Sequence, residues 1–431
     1  MSTIAVIGAG YVGVSTAIAM AKLGHQVTLV DRDLSRLRDL RSGRVPFFEP
    51  GLDQAFSRAL RSRSLLVAGE TVDAVRGSEL SFICVGTPPK PDGSFDPSQL
   101  LAASEELAEG LHGRSFQVVV VKSTVLPGTT EELVIPTLEQ RSGLRVGEFG
   151  VCMNPEFLRE GRALRDSLSP SHVVIGEANR QSGLRLSRAY ARLKCPKLRV
   201  SLRIAEAVKY ATNAFLATKI TFANEIANIA TRLGLDSDEV LRGMSLDPRI
   251  SPEFLQPGAG FGGSCLPKDL VALSKFARTI GYDPLILDAV MTSNERQPLE
   301  ILLLLEKEIG SLRGRRIAIL GLSFKPGTDD VRGSRALPIA EELRRRGADV
   351  VAYDPRAGVR FAELAPFVEI KDSVADALRG AHGCIIQASW PEFVSIPAEA
   401  FSTMVDRVVI DGRRTWSKRR TPRGLRYRRV G

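Results

Sequence analysis

Cys265 is the residue of this chain whose surroundings best suit covalent chemistry. It follows Pro257-Gly258-Ala259-Gly260-Phe261-Gly262-Gly263-Ser264, a stretch almost without side chains, and precedes Leu266-Pro267-Lys268-Asp269 and a helical run. Proline is favoured in a first helical turn, so Cys265 is expected at a helix amino end with Lys268 and Asp269 three and four residues on. The helix dipole and a nearby ammonium both favour the thiolate, which predicts a nucleophile near neutral pH. The plainer alternative is a small cysteine packing a helix start. Cys84, Cys152, Cys195 and Cys384 stand among strand-like residues or alone and are read as packing residues. Five scattered cysteines fit neither a disulfide framework nor a metal-binding pair, so a reducing cytoplasm and no metal are expected.

Three other groupings have chemical potential. Lys209 and Asn213 are four residues apart and share a helix face. They are either a solvated edge or a cation and an amide aimed at an oxyanion. Asn154-Pro155-Glu156-Phe157-Leu158-Arg159-Glu160-Gly161 follows a strand and sets two carboxylates at a loop, either of which could activate water; a simple helix start explains them equally well. Gly8-Ala9-Gly10-Tyr11-Val12-Gly13 follows a strand and opens a helix, and Asp31 ends the next strand. Such glycines let backbone N–H groups approach a pyrophosphate, while the acid takes ribose hydroxyls. Asp31 favours NAD over NADP, with Arg32 and Arg36 close by.

These residues need a scaffold. Ser2–Ile7, Gln26–Val30, Leu80–Val85, Gln117–Val121, Val151–Met153 and Val173–Ile175 read as strands separated by helices, an α/β domain over 1–196. Val85-Gly86-Thr87-Pro88 and Lys122-Ser123-Thr124-Val125 end two of those strands at the edge where cofactors lie. From Ser201 the period becomes helical as far as Leu233, about 45 Å at 1.5 Å per residue, long for a small domain and suited to connecting or dimerising. The helical middle spans 197–308. From 309 to 431 the first pattern returns: strand Arg315–Leu320, helix Ala336–Arg346, strand Asp349–Tyr353, then Asp354. Gly321 to Asp354 is 33 residues where Gly8 to Asp31 is 23, and the extra ten lie around Ser323–Ser334. The expected fold is two Rossmann-like doubly wound parallel-sheet domains joined by a helical central domain.

The blocks Asn154–Glu160, Lys209-x-x-x-Asn213, Gly260-Phe-Gly-Gly-Ser-Cys-Leu-Pro-Lys-Asp269 and Phe324-Lys-Pro-Gly-Thr328-Asp-Asp330-Val-Arg332, in this order, closely resemble the UDP-glucose/GDP-mannose 6-dehydrogenase family over essentially the whole chain. The resemblance implies an enzyme that oxidises the C6 hydroxyl of a nucleotide sugar to a carboxylate with two NAD and one water, through a thiohemiacetal and a thioester on Cys265. It implies that Lys209 and Asn213 stabilise the oxyanion, and that Asp269, Glu156 and a water near Thr124 move protons. Gly8, Gly10, Tyr11, Val12, Gly13, Asp31, Arg36, Thr87, Thr124, Glu160, Lys268 and Arg332 would meet NAD. Glu156, Phe157, Leu158, Arg159, Glu160, Lys209, Asn213, Phe254, Gln256, Gly258, Phe261, Gly262, Phe324, Lys325 and Arg413 would meet the sugar nucleotide. Arg249 would reach a neighbouring subunit's site, so at least a homodimer through the long helix is implied. Asp247-Pro248-Arg249-Ile250 resembles the UDP-glucose branch, the substrate favoured here, while Phe222-Ala-Asn-Glu-Ile and Gly321–Asp330 resemble the GDP-mannose branch; a UDP-N-acetyl sugar is a further alternative. Two departures are Arg335, where the family usually has proline, and Pro170-Ser171-His172, which lacks the usual Asp-Arg.

Composition bounds the remaining readings. The 431 residues carry 59 Lys+Arg against 49 Asp+Glu, but 413–431 alone hold nine basic residues and no acid, so 1–412 are nearly neutral. No apolar run approaches a membrane span, and Met1–Leu23 has a glycine turn instead of a basic signal-peptide start. A basic tail admits a nucleic-acid binder, which is not expected, and a hydroxyacid dehydrogenase would explain the first domain but not Cys265. The arginines suit a diphosphate, and the surplus ones in 418–429 are expected as solvated surface.

Overall fold

The computed structural model describes residues 1–111, 115–416 and 421–431. The chain divides into two compact units, Met1–Thr212 and Asn213–Gly431, and the boundary falls inside one 31-residue helix, Leu202–Arg232.

Among the described residues, the first unit has eight strands: β1 Thr3–Ile7, β2 Gln26–Val30, β3 Leu65–Ala68, β4 Leu80–Ile83, β5 Val118–Val121, β6 Gly150–Met153, β7 Val173–Glu177 and β8 Lys197–Val200. They form one sheet in the order β3-β2-β1-β4-β5-β6-β7-β8. The valine run of β5 shows why it is a central strand. Val118 and Val120 enter the apolar cluster on one face, with Cys152, and Val119 and Val121 enter the cluster on the other, with Met153. Burial on both faces needs helices on both faces, which crossover connections between parallel strands supply. β7 departs from the expected all-parallel sheet by running antiparallel to β6. β3 and β8 were not expected; both are four-residue edge strands and only partly buried, β3 apolar throughout and β8 alternating basic and apolar residues.

In the second unit the described strands are β9 Arg316–Leu320, β10 Asp349–Tyr353, β11 Glu369–Ile370, β12 Gly383–Ile386, β13 Val408–Asp411 and β14 Arg426–Arg429. They form a parallel sheet in the order β11-β10-β9-β12-β13-β14. The helices Ser237–Ser245, Leu266–Thr279 and Leu285–Ile309 precede it. Leu266–Thr279 and Leu285–Ile309 pack Leu270 and Val290 with Ala214, Ala217 and Phe261. Along Leu202–Arg232, Phe215, Phe222 and Ile229 recur every seven residues and are 65%, 49% and 48% exposed. No helix among the described residues is long and apolar enough to cross a membrane.

The basic tail differs in part from expectation. Arg428 Nε meets Glu308 at 2.7 Å, Arg426 donates to Glu308 O at 2.8 Å, and Arg414 and Arg429 both pair with Asp238. These arginines share two acids far away in sequence: Arg426 and Arg428 remain exposed, as a solvated surface requires, while Arg414 and Arg429 are largely buried against Asp238. Lys418, Arg419 and Arg420 lie outside the described residues.

Candidate active site

In the first unit the site is built at the carboxyl edge of the sheet. Gly8, the residue after β1, has φ +98°, and a β-carbon there would lie 2.7 Å from Cys84 O. Gly13 admits none either, since its β-carbon would lie 1.7 Å from Gly8 O, so the helix Tyr11–Lys22 packs directly on the strand. A β-carbon at Gly10 would meet nothing within 4 Å. That open space fronts the helix amino end, which has no capping side chain and no acid in its first turn, as a pyrophosphate requires. Asp31 is buried; Oδ2 accepts from Ala9 N at 2.7 Å and Arg36 Nη1 at 2.9 Å, and Oδ1 from Asp33 N at 2.9 Å. The residues fit a dinucleotide, with part of the carboxylate's accepting capacity left for a ribose. Tyr11 stacks on Phe47 at 3.8 Å, and Val12 packs against the core.

The loops after β4 and β5 carry Thr87 and Thr124, both half-buried, and Ser123 Oγ ties them by donating to Val85 O at 2.7 Å. The loop after β6 brings Glu156 to Lys209, with Oε1 2.9 Å from Nζ and both side chains buried. Leu158 N donates to Glu156 Oε2 at 2.7 Å, and the Lys209 ammonium lies 5.4 Å from the Phe157 ring centre. A buried ion pair 53 residues apart in sequence holds a carboxylate and an ammonium together. Arg159 is turned to Asp166, at 2.8 and 2.9 Å, and Glu160 is half-buried.

A polar network beneath this loop was missed at the sequence level. Lys122 Nζ donates to Asn154 Oδ1 at 2.9 Å, Tyr190 OH donates to the same atom at 2.6 Å, and Asn154 Nδ2 donates to Val174 O at 2.7 Å. Burial pushes the Lys122 pKa down and the Tyr190 pKa up. The available signal was a lysine ending a run of four valines, where a surface residue has no place.

In the second unit Cys265 is the N-cap of Leu266–Thr279, is exposed, and lies with Sγ 3.6 Å from Ser264 Oγ. None of the five cysteines is in a disulfide; burial pushes Cys84 up to about 12 and raises Cys152 and Cys384, as packing thiols should be. Asp269 is buried in the first turn beyond Cys265. Its Oδ2 accepts from Asn213 Nδ2 at 2.6 Å and its Oδ1 from Lys268 Nζ at 2.7 Å. The Lys268 charge is thus shared with Asp269 and is not directed at the thiol alone.

The glycines before Cys265 are set by contact with the second sheet's loops. A β-carbon would lie 2.5 Å from Gly412 O at Gly258, 2.1 Å from Gly333 O at Gly262, and 2.8 Å from the Phe324 ring at Gly263. Asn294 clamps Phe261, accepting its N–H at 2.8 Å and donating to its carbonyl at 3.1 Å. Arg413 Nε donates to Gln387 O at 2.7 Å and its Nη1 to Gly260 O at 3.2 Å. Lys325 Nζ lies 5.0 Å from the Phe324 ring centre, and Arg332 forms a fork on Asp330. Gln256 is exposed, Phe254 half-buried at φ +64°. Arg249 is also exposed and pairs with Asp247 of its own loop.

The chain matches the models of the UDP-glucose/GDP-mannose dehydrogenase family in three parts: NAD binding domain over residues 2–194, central domain over 203–296 and UDP binding domain over 318–418. It is 42% identical to the UDP-glucose 6-dehydrogenase AglM of Haloferax volcanii, covering 98% of this chain and 99% of that one. It is 39% identical to the UDP-glucose 6-dehydrogenase TuaD of Bacillus subtilis, covering 97% and 90%. The solved structure of a UDP-glucose dehydrogenase from the archaeon Pyrobaculum islandicum matches with a TM-score of 0.92 and 41% identity, over 100% of this chain and 98% of that one.

Proposed function

This chain belongs to the UDP-glucose/GDP-mannose dehydrogenase family, and on that premise we propose that it oxidises the C6 hydroxyl of UDP-glucose to a carboxylate by way of a covalent bond to Cys265. The observation that carries the reading is an exposed thiol at a helix amino end, one turn before a buried carboxylate held by Asn213 and Lys268. NAD, when bound, supplies the hydride acceptor for both oxidations. The first oxidation takes a hydride from C6 and a proton from its hydroxyl. Cys265 Sγ then bonds to the aldehyde carbon, and the oxyanion is stabilised by Lys209 and Asn213 until it is protonated. Loss of a second hydride from C6 and the hydroxyl proton gives a thioester. Water positioned near Thr124 attacks it, the C–S bond breaks, and the thiolate is regenerated. Glu156 and Asp269 exchange the protons. Two hydrides and three protons leave per sugar, and one water is consumed. A two-electron dehydrogenase would have no use for the thiol.

The UDP-glucose names of the relatives support the choice of sugar, as does Arg249 in its Asp-Pro-Arg-Ile setting. The stripe Phe215, Phe222 and Ile229 supports a homodimer through the long helix, with Arg249 contributed to the partner's site. The division into 1–196, 197–308 and 309–431 belongs to the same reading.

Purified protein is to be assayed with UDP-glucose, GDP-mannose and a UDP-N-acetyl sugar. Two NADH per UDP-glucose and no steady turnover by Cys265→Ser are expected. One NADH per sugar with full activity in the variant would sink the covalent route, and preference for another sugar would replace the substrate.

A further inference from the structure

At the carboxyl edge of the second sheet, several buried polar groups are used by nothing described above. In its strand order β9 stands between β10 and β12, so the crevice beyond β9 and β12 is where the order reverses and ligands of open α/β sheets lie. Gln387 is the first residue past β12 and is fully buried, yet neither its side-chain oxygen nor its nitrogen has a hydrogen-bond partner among the described residues. Arg335 is the N-cap of the helix Ala336–Arg345 and is 6% exposed. Its Nη2 donates to Asn294 O at 2.9 Å and its Nη1 faces Glu295 at 3.3 Å, but its Nε has no partner among the described residues.

Arg335 and Arg413 lie against the glycine loop, and Gln387 lies against Gly412, which meets that loop at Gly258. A β-carbon at Gly260 would lie 3.5 Å from Arg335 Nε, one at Gly258 would lie 3.6 Å from Arg413 Nη1, and one at Gly412 would lie 3.5 Å from Gln387 Oε1. Burying two guanidinium groups near each other is unfavourable. Burial and the Arg335 charge bring Arg413 down to about 10, and burial also lowers Arg335. Asp411 beside Arg413 and Glu295 beside Arg335 offset this only in part, since burial outweighs both. Orphaned N–H groups beside two buried guanidinium groups are matched by an oxyanion.

We infer that Arg335 and Gln387 are substrate-binding residues that, with Arg413, hold the diphosphate of the nucleotide sugar, Arg335 through Nε and Gln387 through its amide N–H. This rests on the nucleotide-sugar reading above.

The test is calorimetric binding of UDP, GDP and uridine to the full chain and to Arg335→Met, Arg335→Lys and Gln387→Leu. Affinity for UDP is expected to fall at least tenfold in Arg335→Met and three- to fivefold in Gln387→Leu. Uridine binding should be unchanged, and KM for the sugar should rise more than kcat falls. If Arg335→Met does not fold, Arg335→Lys and Gln387→Leu decide. UDP affinity within twofold of wild type in every folded variant overturns the inference alone. Failure of the wild-type protein to bind UDP or GDP overturns the nucleotide-sugar reading with it.

Discussion

After β1, Gly8 at φ +98° donates its N–H to Val30 O at 2.8 Å; after β9, Gly321 at +96° donates to Tyr353 O, also at 2.8 Å. In each case an aspartate ends the next strand and accepts from the backbone of the turn, Asp31 from Ala9 N and Asp354 from Leu322 N and Ser323 N. The two turns part at the hydrogen-bond count. Asp354 also accepts from Ser323 Oγ, Trp390 Nε1, Arg356 N and Ala357 N, so both its oxygens are committed internally. Asp31 holds two backbone N–H groups and the half-exposed Arg36, which can turn away. The helix after Gly8 begins three residues on with an open amino end, whereas the helix after Gly321 begins fifteen residues later behind the buried Arg335. One backbone device therefore serves as a cofactor cradle in the first unit and as a structural clamp in the second.

The comparison breaks most visibly at the glycines. Gly13→Ala is expected to cost about 3 kcal/mol or more, because its β-carbon overlaps Gly8 O, and to remove NAD binding. Gly10→Ala, with open space around it, should keep the melting temperature and lose at least tenfold in NAD affinity; equal melting losses in both would refute the division of roles. The aspartates come next. Asp354→Ala is expected to lose about 2–3 kcal/mol in denaturant unfolding with NAD affinity intact. Asp31→Asn should show the reverse, weakening NAD about tenfold at little cost in stability. If Asp31→Asn proved the more destabilising, the clamp would belong to the first unit as well. The smallest effect concerns Lys122. Its folded pKa lies below the unfolded value of 10.5, so the unfolded chain binds more protons in that window. Stability should thus rise as pH rises from the folded pKa towards 10.5, and Lys122→Met should flatten the slope in melting temperature.

Local pattern revealed much of this. The helix Leu202–Arg232 was legible in its 3.6-residue period, the turn at Gly8 in its glycines, and Cys265 at a helix start in Pro267 two residues on. β3, β8, β12 and β13 escaped because four residues are too few for a strand period to stand out, and Lys122 because a strand-end lysine resembles any surface lysine until its partners are known. The tail was legible only in part: Arg426 and Arg428 are exposed as expected, but their pairing with Glu308 and the burial of Arg429 on Asp238 arise only in the folded chain.

By itself the sequence determined the longer elements, the two strand-glycine-helix-strand-aspartate units, the glycine turn with its aspartate and the place of Cys265 at a helix start, because each depends chiefly on local pattern. Only the tertiary structure decided the antiparallel β7, the Glu156–Lys209 pair, the saturation of Asp354 and the burial of Arg335 and Gln387 beside Arg413. These depend on groups brought together from tens of residues apart, where loss of water sets the strength of a charge or a hydrogen bond, and residue spacing carries no record of that.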